Sequence, residues 1–224
     1  MLRGERLGVR GAGTLRSIED SPNAGDREQR VKQIVVVTGP TRSGKSEWAE
    51  ALAQQSPQEV VYVATSAVDP NDQEWQARLE QHRQRRPADW RLWEVPVGLS
   101  AAILAGKATD CLLVDSLGTW LANELGQDEA QWQETMADVV ASVQQTAATV
   151  IFVAEETGWG VVPAYPAGRQ FRDRLGQLTR RLGTVADAVY LVVAGYAVDL
   201  RQVGTAVDAS QSPRPPRPKD SRPA

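Results

Sequence analysis

The chain has 224 residues, a net charge of −3, 42% hydrophobic and 24% charged residues, one cysteine and one histidine. That length suits one α/β domain with a filled core plus some ends, and the near-neutral charge gives no reason to expect nucleic acid or an anionic membrane as a partner. No apolar run is long enough for a membrane span, and a lone Cys111 and a lone His82 exclude an internal disulfide and a multi-histidine zinc centre.

In chain order, residues 1–30 come first. "MLRGERLGVRGAGTLR" is rich in Arg and Gly, but no apolar segment follows it, which argues against a secretory signal. Glu5, Glu19, Asp20, Asp26 and Glu28 argue against a transit peptide, so a disordered extension is expected. One folded domain is expected over residues 31–203. Its apolar runs are "QIVVVTG" (33–39), "EVVYVAT" (59–65), "CLLVDS" (111–116), "TVIFVAE" (149–155) and "AVYLVVAG" (188–195), with "RLWEVP" (91–96) a further short candidate. Nearly continuous β-branched runs are the pattern of strands buried on both faces. Between them, helices are expected at 43–55, about 71–84, 120–125, 129–146 and 169–182. This alternation predicts an α/β fold with a doubly wound, mostly parallel sheet and helices on both faces. Cys111 then reads as a packed thiol, and a reducing cytoplasm is the expected compartment. The end, 204–224, contains "SPRPPRPKDSRPA" and predicts a disordered tail, because closely spaced prolines hold neither a helix nor a central strand.

Gly39-Pro40-Thr41-Arg42-Ser43-Gly44-Lys45-Ser46 fits the phosphate-binding pattern G-x-x-x-x-G-K-[ST], with an apolar strand before it and a helix after it. The glycines let backbone N–H groups converge on phosphate oxygens, and the helix N-terminus adds its positive end. Lys45 would reach the β- and γ-phosphates, and the Ser46 hydroxyl would ligate Mg²⁺. A nucleotide-bound Mg²⁺ also calls for a carboxylate at the end of a neighbouring strand. Asp115 is that carboxylate; the lesser alternative is an Asp that caps the helix that follows, a role that can coexist with the first.

His82 is followed directly by Arg83, Gln84, Arg85 and Arg86, and Pro87 stops the helix. Two readings stand for this segment. One is a solvated basic helix end; the other is a histidine nucleophile beside cations that neutralise a phosphoryl group under attack.

"TGPTRSGKSEWAE", "YVATS", "ARLEQHRQRRPADWRLWEVP", "LLVDSLGTWLANEL" and "EETGWGVVPAYPAGRQFRDRLGQLTRRLGTVADAVYLVVAG" occur in this order. Together they resemble the bifunctional adenosylcobinamide kinase/adenosylcobinamide-phosphate guanylyltransferase family of cobalamin biosynthesis. The resemblance covers nearly the whole body and leaves out only the two ends. It implies a P-loop NTPase-type fold and two reactions. Adenosylcobinamide is phosphorylated on its aminopropanol hydroxyl by ATP or GTP. GMP is then moved from GTP to that phosphate by way of a histidine, giving adenosylcobinamide-GDP and pyrophosphate. By resemblance, His82 carries the GMP. The guanine-nucleotide contacts fall on Gly39 to Ser46, Ala64, Thr65, Ser66, Arg83 to Arg86, Glu94 and Asp115, and the assembly is a homotrimer. Seven tryptophans offer apolar area for subunit contacts. Glu155 departs from the family pattern, which leads one to expect Asn before Glu156. Two other readings use the same motifs: a P-loop kinase of another small alcohol, and a guanine-nucleotide-dependent switch protein.

Overall fold

The computed structural model describes residues 32–67, 80 and 86–207, all within the unit that spans residues 31–224. The expected N-terminal extension, nearly all of the helix expected at 71–84, and the tail from 208 lie outside the described residues. The described elements are β1 (Ile34–Gly39), α1 (Lys45–Gln54), β2 (Glu59–Ala64), β3 (Arg91–Glu94), α2 (Leu99–Leu104), β4 (Asp110–Asp115) and α3 (Leu117–Glu124). They continue with α4 (Glu129–Gln145), β5 (Thr149–Glu155), α5 (Pro166–Val185), β6 (Ala188–Val193), β7 (Tyr196–Asp199) and α6 (Leu200–Val203).

The strands form one seven-stranded sheet in the order β3-β2-β4-β5-β1-β6-β7. Every neighbouring pair is parallel except β6–β7. The apolar runs therefore behave as their composition requires: β1 and most of β2, β4 and β5 are buried. Alternate side chains point to opposite faces. Val36, Val61, Val63, Leu112, Val114, Val150 and Phe152 pack with Leu99 and Ile103 of α2 and with residues of α3, α4 and α5. Val35, Val37, Tyr62, Cys111, Leu113 and Val153 pack with Ala49 and Ala53 of α1. The first face is the larger. It holds Trp120 and Trp132, both fully buried, with ring centroids 6.0 Å apart.

Local chemistry explains where the helices begin. Ser116 caps α3 by accepting from Thr119 N, and Thr119 closes a capping box. Asp128 and Gln131 do the same for α4. Helix α3 thus starts at Leu117, three residues before the expected Trp120. Helix α5 starts at Pro166, three residues before the expected Arg169, because proline is pre-organised for the first helical turn. Strand β6 ends at Val193, not 195, since Ala194 (φ 51°) and Gly195 (φ 79°) form a two-residue hairpin turn into β7.

A buried cation braces one corner. Arg174 of α5 donates to the carbonyls of Gln127 (2.8 Å) and Asp128 (3.3 Å), in the turn between α3 and α4. Its guanidinium lies 5.3 Å from the centre of the Trp132 ring. Among the described residues no helix is long and apolar enough to cross a membrane.

Candidate active site

The carboxyl ends of the parallel strands gather most of the residues singled out in the sequence, as expected for ligand sites in sheets of this kind. Gly39 ends β1, and Pro40 to Gly44 lead directly into α1. A Cβ at Gly39 would lie 2.3 Å from the Val192 carbonyl oxygen, so only glycine fits between this loop and β6. Gly44 adopts φ 92° as the N-cap of α1, a conformation that L side chains rarely adopt. No side chain caps α1, in contrast to α3 and α4, so its first N–H groups face the loop. Lys45 folds back over the loop, its Nζ donating to the Pro40 carbonyl at 3.4 Å. Thr41 and Arg42 are exposed, and Arg42 has φ 59°. Ser43 and Ser46 are half-buried.

A second row lies across β2, β3 and β4. Ala64 pairs with Glu94 on one side and with Asp115 on the other, so these three residues share one level of the sheet. Asp115 Oδ2 accepts from the Tyr62 hydroxyl at 3.0 Å, and the Arg86 guanidinium lies 4.0 Å from the centre of the Tyr62 ring. Burial first, and then the Asp115 charge, push the Tyr62 phenol far above its usual range, so it stays a donor to the carboxylate.

Thr65 is fully buried, and its hydroxyl donates to the Ser116 carbonyl (2.7 Å) and accepts from Ser116 N (2.9 Å). Its carbonyl accepts from Asn123 Nδ2 at 2.9 Å. The side chain of Thr65 thus holds the turn after β4 in place. Ser66 is half-buried beside it. His82, Arg83, Gln84 and Arg85 lie outside the described residues.

Sequence reasoning did not assign Glu155 a place in the site. It ends β5 opposite Gly39, next to the phosphate loop. Its Oε1 accepts from Ser116 Oγ and its Oε2 from Gly118 N at 2.9 Å. A Cβ at Gly118 would sit 2.3 Å from Oε2. The carboxylate therefore ties the end of β5 to the start of α3, immediately after Asp115. The signal was present in "DSLGTW", where a glycine sits early in a helix and leaves an opening for another side chain. Tyr62 was also missed, because its role depends on the pairing of β2 with β4.

Cys111 is fully buried and unpaired by disulfide. Burial pushes its thiol up to about 11, opposed in part by a hydrogen bond with Ser56. It is a packing residue, as its setting predicts.

Ser46 and Asp115 offer hard oxygen donors that suit Mg²⁺, which commonly takes one or two protein ligands plus substrate phosphates. Asp115 is further oriented by Tyr62. Among the described residues no group of three or more His, Cys, Asp or Glu side chains could hold a metal by itself. The donor set of Ser46 and Asp115 therefore fits an ion brought with a nucleotide.

Comparison with known proteins agrees with this chemistry. The family model described as cobinamide kinase / cobinamide phosphate guanyltransferase matches residues 35–200. The bifunctional adenosylcobalamin biosynthesis protein CobU of Salmonella typhimurium is 37% identical over 183 residues, spanning 75% of this chain and 99% of that protein. The corresponding CobP of Pseudomonas aeruginosa is 36% identical over 168 residues, spanning 74% and 96%. Among solved structures, a Pyrococcus horikoshii protein, PH0250, aligns over 82% of this chain and 96% of its own with a TM-score of 0.50 and 8% identity, a likeness of fold alone. The chain belongs to the cobinamide kinase / cobinamide phosphate guanyltransferase family.

Proposed function

We propose that this protein phosphorylates the aminopropanol hydroxyl of adenosylcobinamide with ATP or GTP and then transfers GMP from GTP to the new phosphate. The observation that carries this reading is the family match, which spans the phosphate loop, the Asp115 strand and the Glu155–Glu156 segment in one continuous stretch.

In the first reaction the backbone N–H groups of Gly39 to Ser46 and the Lys45 ammonium hold the triphosphate. The substrate hydroxyl attacks the γ-phosphorus, the bond to the β,γ-bridging oxygen breaks, the nucleoside diphosphate leaves and the hydroxyl proton passes to solvent. In the second, an imidazole nitrogen of His82 attacks the α-phosphorus of GTP, the bond to the β-bridging oxygen breaks, and pyrophosphate leaves. An oxygen of the cobinamide phosphate then attacks the same phosphorus, the N–P bond breaks, and the imidazole is regenerated. Arg83, Arg85 and Arg86 take up charge on the phosphoryl group, and Ala64, Ser66 and Glu94 border the nucleotide. Ser46 and Asp115 would hold Mg²⁺, which would supply charge neutralisation on the phosphates. With one phosphate loop in the chain, both reactions use it.

We further propose a homotrimer in the cytoplasm. The tryptophan argument for subunit contacts narrows, since among the described tryptophans only Trp159 is largely exposed, at 61%. Trp159, Val161, Val162 and Tyr165 form an exposed apolar stretch between β5 and α5, a better candidate for subunit contact.

The deciding experiment incubates the protein with α-labelled GTP and Mg²⁺, denatures it and measures retained label. Label stable to alkali and lost in acid is expected for a phosphoramidate. His82→Ala should abolish labelling and GMP transfer while phosphorylation of adenosylcobinamide persists at a reduced rate. Undiminished transfer in that variant would end the histidine mechanism.

A further inference from the structure

Beside the phosphate loop, on the side away from Asp115, lies a cavity of about 300 Å³ lined by Ser43, Gly44, Glu47, Trp48, Val192, Gly195 and Ala197. Its volume is at the lower end for small-molecule sites. Trp48 forms one wall and is held edge-on against Tyr190, with ring centroids 5.6 Å apart and planes at 72°. Much of the remaining lining is small: Val192 of β6, Ala197 of β7, and Gly195 in the tight turn between them. Glu47, on the first turn of α1, adds a carboxylate. Two of the lining residues, Ser43 and Gly44, belong to the phosphate loop itself, so the cavity opens where a bound nucleotide continues past its phosphates.

We propose that this cavity takes the purine base of the nucleoside triphosphate used in the kinase reaction, stacked against Trp48. An aromatic wall with a small apolar floor accepts the flat face of a base, and such stacking is tolerant of base identity. That tolerance suits a step served by ATP or GTP.

Sheet order makes this site distinct from the nucleotide contacts at Ala64, Ser66 and Glu94. From β6 to β3 is five strand steps in the order β3-β2-β4-β5-β1-β6, or roughly 24 Å at the usual strand spacing. One base cannot serve both places. With its base at Trp48, a triphosphate on the loop points its γ-phosphorus toward β5 and β4, the side of Asp115 and Glu155, where an acceptor hydroxyl would approach. With its base at Glu94, a triphosphate leaves its β,γ end on the loop and its α-phosphorus toward Arg86. That is the orientation GMP transfer needs, since pyrophosphate is the leaving group. A single loop thus serves two chemistries by accepting the triphosphate from either side. The assignment of the cavity to the kinase step rests on the two-reaction reading above; its affinity for a purine does not.

The test measures binding by calorimetry, with Mg²⁺, of ATP and of inorganic tripolyphosphate, which has the charge and no base. Trp48→Ala removes the wall, and Ala197→Phe fills the cavity from β7. Both variants should lower the ratio of ATP to tripolyphosphate affinity by more than about fivefold, a difference calorimetry resolves readily. A smaller fall in either variant, or equal loss of both ligands, overturns the proposal. If Trp48→Ala does not fold, Ala197→Phe alone decides. Because the ratio requires neither corrinoid nor GMP transfer, failure of the proposed reactions would leave this result readable.

Discussion

The Arg86 guanidinium stacks 4.0 Å from the centre of the Tyr62 ring, while the hydroxyl of the same tyrosine donates to Asp115. One side chain thus links the end of the arginine-rich segment to the carboxylate expected at the metal. Tyr62→Phe keeps the ring and the cation contact but removes the donor. It should cost about 1–2 kcal/mol of stability, measured by denaturant unfolding, and raise the Mg²⁺ concentration needed for half-maximal turnover. Tyr62→Leu removes both contacts and should weaken nucleotide turnover further. Equal Mg²⁺ dependence in parent and Tyr62→Phe would separate Tyr62 from the metal.

Lys45 is the motif lysine of the phosphate loop, and its ammonium folds back over that loop to the Pro40 carbonyl, whereas Arg42 is exposed. Lys45→Ala should lower both phosphorylation and GMP transfer by roughly 100-fold or more. Rates of the two reactions, measured side by side, check this. A kinase rate equal to the parent's would show that the two steps do not share the loop.

Gly118 and Glu155 form a matched pair. A helical glycine usually gains stability on replacement by alanine, by about 1 kcal/mol. Here Gly118→Ala should instead destabilise, because its Cβ would meet Glu155 Oε2 at 2.3 Å. In Gly118→Ala/Glu155→Ala the clash is gone, so a double-mutant cycle should show favourable coupling between the two changes. A gain in stability in Gly118→Ala alone would mean that the Glu155 carboxylate moves aside freely.

The thiol of Cys111 stays protonated in the fold to about pH 11, whereas an unfolded chain releases that proton near pH 9. Between these values the native state holds more protons, so stability falls as pH rises. The loss attributable to the thiol is up to about 2–3 kcal/mol. Unfolding curves at pH 8 and pH 10.5 should show a steeper alkaline loss for the parent than for Cys111→Ala.

The architecture was legible because its strands are fully buried and must be written as unbroken apolar runs; "VVVTG", "LLVD" and "VIFVAE" leave little else to form. β7 was hidden for the opposite reason. It is a four-residue edge strand, alternating exposed and half-buried, and only the turn at Ala194–Gly195 identifies it. Helix α2 has six residues, too short for a periodic signal. In the site, residues that act through the backbone or sit in a motif were readable, among them Gly39, Gly44 and Lys45. Partners brought in across strands were not. Tyr62 reaches Asp115 only because β2 pairs with β4, and Glu155 reaches Gly118 only because β5 ends beside α3. Arg174 falls within the helix expected at 169–182, but nothing in that expectation marks it as buried against carbonyls from a turn far away in the chain.

The central position of β1 has a consequence for how the protein is made. Ile34 pairs with Val150 and Val35 with Ala188, so the strand leading into the phosphate loop has no partner until most of the chain has left the ribosome. Strands β2 and β4 can pair earlier, and β5 can join them. The early-synthesised loop is therefore finished late, and contacts this distant in sequence slow folding. An apolar segment, "IVVVTG", waits unpaired in the meantime. Aggregation of the nascent chain, and rescue by slower synthesis or by nucleotide supplied during refolding, should centre on this first strand.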